Sequence, residues 1–188
     1  MEDKIVTIEN KKDEKFLRTK TAKFDFKKFS RKEINDLVNR MKRAMKIANG
    51  IGLSANQIGL NLSVFVAQVP RGETRGSYES EKFYAVFNPE IVEFSKSKTP
   101  FEEGCLSVPH TYGEVKPADK LTLSGFDKTG KKIKIKARGL LAEIFRHETE
   151  HLNGKLFVDR ADKIYKTPTS ERLKERLNEE EARIMNKK

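Results

Sequence analysis

The sequence has no tryptophan, only one cysteine and three histidines, and no long hydrophobic run. A single cysteine excludes an intramolecular disulfide. No apolar stretch approaches the roughly 18 residues that a membrane span requires. The opening segment, MEDKIVTIENKKDEK, also lacks the apolar core of a secretory signal. We therefore expect a cytoplasmic protein without a membrane partner.

The charge of the chain is strongly positive. It has 39 lysines and arginines against 28 aspartates and glutamates, which gives a net charge of +11. A positive field favours encounters with polyanions such as RNA. However, neither a zinc-knuckle spacing nor an aromatic-rich RNA-binding strand accompanies the charge. We therefore interpret most of it as a solubilising surface that does not by itself indicate a function.

Three segments have helical patterns. Ser30 and Glu33 have the spacing of a capping box, and apolar residues then recur at helical intervals over 34–48. A second helix is predicted over 139–152, which is rich in apolar residues. A third, dense in charges of both signs, is predicted over 170–185.

Strand patterns lie between the first two helices, at 62–67, 83–87, 90–94, 121–123 and 133–135. Asn88-Pro89 is expected to separate the second strand from the third, and 70–81 reads as a polar loop. The last two strands alternate apolar and polar residues, which predicts an antiparallel hairpin with one buried face. No β-α-β rhythm is present, so the predicted class is α+β. We expect one domain over 1–168 and a charged C-terminal helix over 169–188, packed on that domain or extending from it.

The segment His147-Glu148-Thr149-Glu150-His151 is an H-E-x-x-H sequence. Residues four apart on a helix face the same way, so the two imidazoles can share one divalent ion. Glu148 leaves the helix in another direction and can reach a metal-bound water as a general base. Because two of the three histidines of the chain have this spacing, we interpret the motif as a metal site rather than a solvated helix face.

A catalytic site of this kind needs a third protein ligand and an open fourth position. Cys105 is the candidate upstream, since its thiolate could complete the set and Gly104 allows a close approach of the backbone. The alternative for a lone cysteine is a buried structural role. No histidine follows the motif, and three downstream carboxylates remain open as ligands: Asp159, Asp162 and Glu171.

Three segments together resemble the peptide deformylase family. They are GIGLSANQ at 50–57, EGCLS at 103–107 and HETEHLNG at 147–154, in the order and at about the separations found in that family. A weaker likeness extends over 30–162 and includes LFVDR at 156–160. The resemblance implies an α+β fold with antiparallel strands packed around a central H-E-x-x-H helix. It also implies removal of the formyl group from N-formylmethionyl peptides during protein biosynthesis.

The resemblance also implies the roles of individual residues. Cys105, His147 and His151 would hold one divalent metal ion, with iron(II) favoured and zinc, nickel or cobalt able to substitute, and Glu148 would carry protons. Gln57 and the backbone N–H of Leu106 would stabilise the oxyanion. The substrate-binding residues would be Ile51, Gly52, Gly104 and Ile144, with Ile51 and Gly104 pairing their main chains with the peptide. We further expect a monomer that contacts the ribosome transiently.

The sequence departs from the family pattern at several positions. Ser54 stands where alanine is usual, and Arg146 where glutamine usually precedes the first histidine. Glu143 occupies a position that is more often apolar or basic, and it could pair with Arg146 three residues on. Lys116 and its following proline replace the usual arginine after the cysteine segment, which leaves the partner of Glu103 open.

Two other functions remain open from the residues. A metallopeptidase that cleaves internal peptide bonds would not need Cys105 and would use a ligand downstream of His151. A basic ribosome- or RNA-associated protein with a structural metal would have a closed site of four ligands, and His110 could be the fourth.

Overall fold

The computed structural model describes residues 3–69 and 82–166. The predicted loop over 70–81 and the predicted C-terminal helix lie outside the described residues. The helices are α1 (Lys11–Leu17), α2 (Arg31–Ile47) and α3 (Leu140–Leu152). The strands are β1 (Gly52–Ser54), β2 (Val64–Gln68), β3 (Phe83–Phe94), β4 (Phe101–Cys105), β5 (Val108–Val115), β6 (Lys120–Phe126), β7 (Lys132–Arg138) and β8 (Lys163–Tyr165). This arrangement confirms the α+β class.

The two helices with clear sequence patterns, α2 and α3, form where they were predicted. Ser30 is the N-cap of α2: its hydroxyl accepts from the backbone N–H of Glu33, and the Glu33 carboxylate accepts from the backbone N–H of Ser30. The capping box is therefore confirmed. The N-cap of α3 is Gly139, at φ 54°. The short helix α1 was not predicted, because its sequence KKDEKFL buries only Leu17.

The strands form two antiparallel sheets, with the orders β1-β2-β3-β6-β7 and β4-β5-β8. The predicted hairpin is confirmed as β6 and β7, joined at Asp127–Lys131. The prediction of separate strands at 83–87 and 90–94 was wrong, because β3 runs through both and absorbs the irregularity as a bulge. Asn88 adopts φ 48° there, and its side chain bonds both the N–H and the C=O of Phe24.

The core lies on both faces of the larger sheet. Val64 and Val66 of β2 belong to the apolar cluster formed with α2, while Phe65 and Ala67 belong to the cluster formed with α3. This alternation follows from the two-residue period of a strand. Because both faces are covered, β2 is apolar without interruption from Val64 to Ala67. Among the described residues, no helix combines the length and apolarity that a bilayer crossing requires.

Candidate active site

Helix α3 carries the H-E-x-x-H residues at the boundary between the two sheets. The rings of His147 and His151 lie on one side of the helix, with centroids 4.8 Å apart. His151 is fully buried, and the Glu148 side chain is buried beside them. The helical spacing therefore places both imidazoles against the same small volume.

The hairpin of β4 and β5 brings Cys105 to that volume. Cys105 pairs with Val108, so Leu106 and Ser107 form a two-residue turn. The Sγ atom of Cys105 lies 3.0 Å from Nε2 of His151. The potential ligand atoms of Cys105, His147 and His151 all lie within 4.8 Å of one another. The structure thus brings the three predicted ligands together.

The chemistry of these three groups suits a divalent ion. Burial would raise the pKa of the Cys105 thiol, but the neighbouring His151 and His147 outweigh it and hold that pKa at about 5. The thiolate also accepts the backbone N–H of Ser107 at 3.3 Å. Nδ1 of His147 lies within hydrogen-bond distance of the Glu103 carboxylate. When that nitrogen carries the proton of a neutral ring, Nε2 offers its lone pair to a metal ion. One thiolate and two imidazoles fit zinc, iron(II), cobalt or nickel.

Glu103, whose partner the sequence left open, is bound by two arginines. Arg160 lies 2.7 Å from its Oε2 atom and Arg146 lies 3.1 Å from the same atom. Burial would raise the pKa of Glu103, but His147, Arg160 and Arg146 together hold it at about 2. A carboxylate that stays ionised can fix the tautomer and the orientation of His147.

Glu143 and Arg146 form the ion pair that their spacing predicted. Both side chains are buried, Glu143 8% and Arg146 5% exposed, in a region where an unpaired charge would be costly. Glu143 also lines a cavity that opens beside Cys105, His147 and Glu148. It therefore pairs with Arg146 and faces the cavity at once.

The side chain of Gln57 is held in one orientation. Its Oε1 atom accepts the backbone N–H of Ser54 at 2.9 Å, so its amide nitrogen points the other way. That nitrogen lies 3.2 Å from Oγ of Ser107 and 3.8 Å from Sγ of Cys105. A hydrogen-bond donor is thus fixed next to the cysteine.

A cavity of about 550 Å³ opens beside this cluster. Nine predicted site residues line it: Ile51, Gly52, Gln57, Gly104, Cys105, Leu106, Ile144, His147 and Glu148. The remaining one, His151, is buried behind them. A groove of about 640 Å³ also crosses β3, β6 and β7, but none of the predicted site residues lines it.

The other residues that the sequence offered as metal ligands do not join the cluster of Cys105, His147 and His151 among the described residues. Asp159 pairs with Arg18, and Asp162 pairs with Lys116. His110 lines the cavity, but the cluster of potential ligands found among the described residues does not include it. Glu171 lies outside the described residues.

Sequence reasoning missed two residues that contact the site. Ser54 was noted only as a replaced alanine, yet its hydroxyl lies 2.6 Å from Oε2 of Glu148. Arg160 was noted only as part of a weaker likeness, yet it binds Glu103. The presence of Ser54 inside the first motif was a usable signal, whereas nothing local pointed from Arg160 to Glu103.

An H-E-x-x-H helix whose second imidazole contacts a thiolate beside an open cavity, in an antiparallel α+β fold, is the arrangement of a metal-dependent hydrolase. The sequence profile of the polypeptide deformylase family matches residues 3–167. The chain belongs to the peptide deformylase family.

Individual relatives agree with this assignment. A peptide deformylase of Halothermothrix orenii is 41% identical over 133 residues, which cover 71% of this chain and 80% of the relative. A crystal structure of a class I type b peptide deformylase from Acinetobacter baumannii aligns with a TM-score of 0.73 and 27% identity over 84% of this chain and 97% of that one. A structure of the same kind of enzyme with Met-Ala-Ser bound aligns with a TM-score of 0.72 and 29% identity, over 83% of this chain and 96% of that one.

Proposed function

We propose that this deformylase removes the formyl group from N-formylmethionyl peptides at the cavity beside α3. The observation that carries the proposal is the convergence of Cys105, His147 and His151 next to Glu148, in a cavity large enough for a peptide end. The helix α3 would then be the central element of the site, with strands of both sheets around it.

The metal would be held by Cys105, His147 and His151. A bound divalent ion would supply Lewis acidity, polarising the formyl carbonyl and lowering the pKa of a water towards roughly 7. We propose iron(II) as the native ion from the family resemblance, since this donor set also accepts zinc, nickel and cobalt. Glu103 would orient His147 through Nδ1.

Glu148 would move the protons. Its carboxylate lies at the cavity wall, and burial raises its pKa above the ordinary value. A raised pKa brings a carboxylate closer to the range in which it can accept and return protons. We propose that Glu148 takes a proton from the attacking water and later gives it to the leaving amine.

Two donors would stabilise the negative charge that develops on the formyl oxygen as the formyl carbon becomes tetrahedral. The Gln57 amide is fixed by Ser54 with its nitrogen towards Cys105. Leu106 follows Cys105 in the hairpin turn and lines the cavity, so its backbone N–H is the second donor in the proposal. Preorganised donors at such a position typically contribute about 3 kcal/mol each.

The peptide would bind between two strand edges. β1 is the edge of the five-stranded sheet and β4 the edge of the three-stranded sheet, and residues of both line the cavity. An extended peptide can pair its main chain with such edges. We propose that Ile51 and Gly104 supply those contacts, while Gly52 and Ile144 bound the space near the reacting group. The Met-Ala-Ser complex of the Acinetobacter baumannii enzyme is consistent with a peptide ligand.

A formate-release assay tests the function. Anaerobically purified protein is incubated with a formyl-methionyl tripeptide, and formate is measured. We expect turnover that a chelator abolishes and that Glu148→Gln removes while the metal remains bound. Cleavage of casein without formate release would favour a metallopeptidase instead, and a bound metal with neither activity would favour a structural site.

The expected domain over 1–168, the monomeric state and the transient ribosome contact stay predictions. We propose that the charged C-terminal segment makes the ribosome contact. Deleting residues 169–188 should weaken cosedimentation with ribosomes, and unchanged cosedimentation would contradict that role.

A further inference from the structure

Ser54 contacts two functional side chains at once. It ends β1 and is completely buried. Its backbone N–H donates to Oε1 of Gln57 at 2.9 Å. Its hydroxyl lies 2.6 Å from Oε2 of Glu148 and 3.0 Å from the backbone carbonyl oxygen of the same residue. A single small residue thus links the donor and the proton carrier of the proposed reaction.

The hydroxyl has one proton and two acceptors within reach. A separation of 2.6 Å is typical of a charge-assisted bond from a hydroxyl to a carboxylate. Because a serine hydroxyl rotates, it can also reach the backbone carbonyl oxygen of Glu148 at 3.0 Å. Ser54 therefore lies within hydrogen-bond distance of both the carboxylate and the backbone of Glu148.

The other carboxylate oxygen faces a different residue. Oε1 of Glu148 lies beside Gly52, so close that a β-carbon at Gly52 would overlap it. Gly52 and Glu148 both line the cavity. With Oε2 held by Ser54, the oxygen that remains available on the cavity side is Oε1.

We propose that Ser54 is a positioning residue of this deformylase, whose hydroxyl holds Oε2 of Glu148 so that Oε1 exchanges protons with the reacting groups. The inference rests on the proposed function. It assigns the serine, which replaces the usual alanine of the first motif, a role in the chemical step and not in peptide binding. Its removal should therefore change kcat and leave KM unchanged.

Three variants at this position test the role on the metal-loaded enzyme. Ser54→Ala removes the donor, and we expect kcat to fall roughly ten-fold with KM within about two-fold, as for the loss of a hydrogen bond to a charged group. Ser54→Cys keeps the size but offers a weak donor, so its kcat should fall similarly. Ser54→Thr keeps the hydroxyl and should restore most of the rate. Elemental analysis should find equal metal per chain in all of them.

Another buried hydroxyl that hydrogen-bonds to α3, but not to Glu148, is the matched control. Thr21 donates to the backbone carbonyl of Leu152, the last residue of α3, at 3.0 Å. Thr21→Val should lower the melting temperature without changing kcat. An equal fall of kcat in Thr21→Val and Ser54→Ala, or a fall that follows lost metal, would overturn the positioning role.

The remaining outcomes separate this role from the function itself. A wild-type enzyme that releases formate, with Ser54→Ala at full kcat, would overturn the positioning role and leave the deformylase reaction intact. A wild-type enzyme that releases no formate would overturn the proposed function, and the role of Ser54 with it.

Discussion

Helices α2 and α3 have similar apolar stripes but opposite surroundings on their polar faces. In α2, the side chains of Lys32 and Asp36 are 88% and 62% exposed. In α3, Glu143 and Arg146 are buried, and the polar face meets the cavity and the smaller sheet. Amphipathic periodicity looks alike in both cases. The comparison teaches that a polar helix face can be directed towards a site as well as towards water.

The buried charges of α3 need partners of opposite charge, whereas the exposed charges of α2 are solvated by water. Arg146 contacts Glu103 and Glu143, and it lies 3.7 Å from Glu150. Removing one member of a buried ion cluster leaves the others without compensation, which usually costs more than the pair contributed. An exposed pair such as Lys32–Asp36 contributes little, because water solvates both ions.

The largest expected effect is that of Arg146→Gln, which introduces the residue usual in the family. It leaves the Glu143 carboxylate buried without its cation, so the free energy of unfolding should fall by about 3 kcal/mol. Urea denaturation at a fixed metal loading measures this change. Lys32→Gln, the exposed counterpart on α2, should change it by less than about 0.5 kcal/mol.

A double variant sharpens the same comparison. Glu143→Leu combined with Arg146→Gln removes the carboxylate that the single variant strands, and it should recover at least about 1 kcal/mol of the loss. Equal losses for Arg146→Gln and Lys32→Gln would abolish the contrast between the two helix faces. A double variant no more stable than Arg146→Gln would show that the buried Glu143 carboxylate costs no stability without Arg146.

The parts of the fold that were predicted are those with local patterns. The capping box before α2 and the alternation in β6 and β7 are readable within a few residues. The pairing of β8 with β5 joins Lys163–Tyr165 to residues about fifty positions earlier. A strand of three residues is too short to show an alternation of apolar and polar side chains. The bulge in β3 was mistaken for a break because Asn88-Pro89 suits either.

In the candidate site, too, the residues with a local pattern could be predicted and the long-range contacts could not. The candidate ligands on α3 could be predicted because residues four apart lie on the same side of a helix, and Cys105 because it lies in a recognisable segment. The contact of Ser54 with Glu148 spans 94 positions and that of Arg160 with Glu103 spans 57. Such contacts depend on how β1, β4 and α3 pack, and no local pattern encodes that packing.

The N-caps of α2 and α3 also differ, and a substitution at the N-cap of α3 should have an effect of intermediate size on stability. Gly139 caps α3 at φ 54° and ψ −137° without a side-chain hydrogen bond. A β-carbon there would meet nothing within 4 Å, so the effect of Gly139→Ala is purely conformational. We expect a loss of about 2 kcal/mol, since residues other than glycine rarely adopt this conformation. Thermal unfolding measures it, and a neutral substitution would mean that the cap can change its backbone conformation.

The smallest effect is expected at Ser30, where the cap of α2 depends on a side chain. Its hydroxyl accepts the N–H of Glu33 at 3.2 Å, and Ser30→Ala leaves that N–H without its acceptor. The loss should be about 1 kcal/mol, and Ser30→Gly should cost only a few tenths. Alanine should thus be tolerated better at the N-cap of α2 than at that of α3, for different physical reasons. Thermal unfolding of Gly139→Ala and Ser30→Ala, measured side by side, tests which loss is larger. A larger loss for Ser30→Ala than for Gly139→Ala would contradict this prediction.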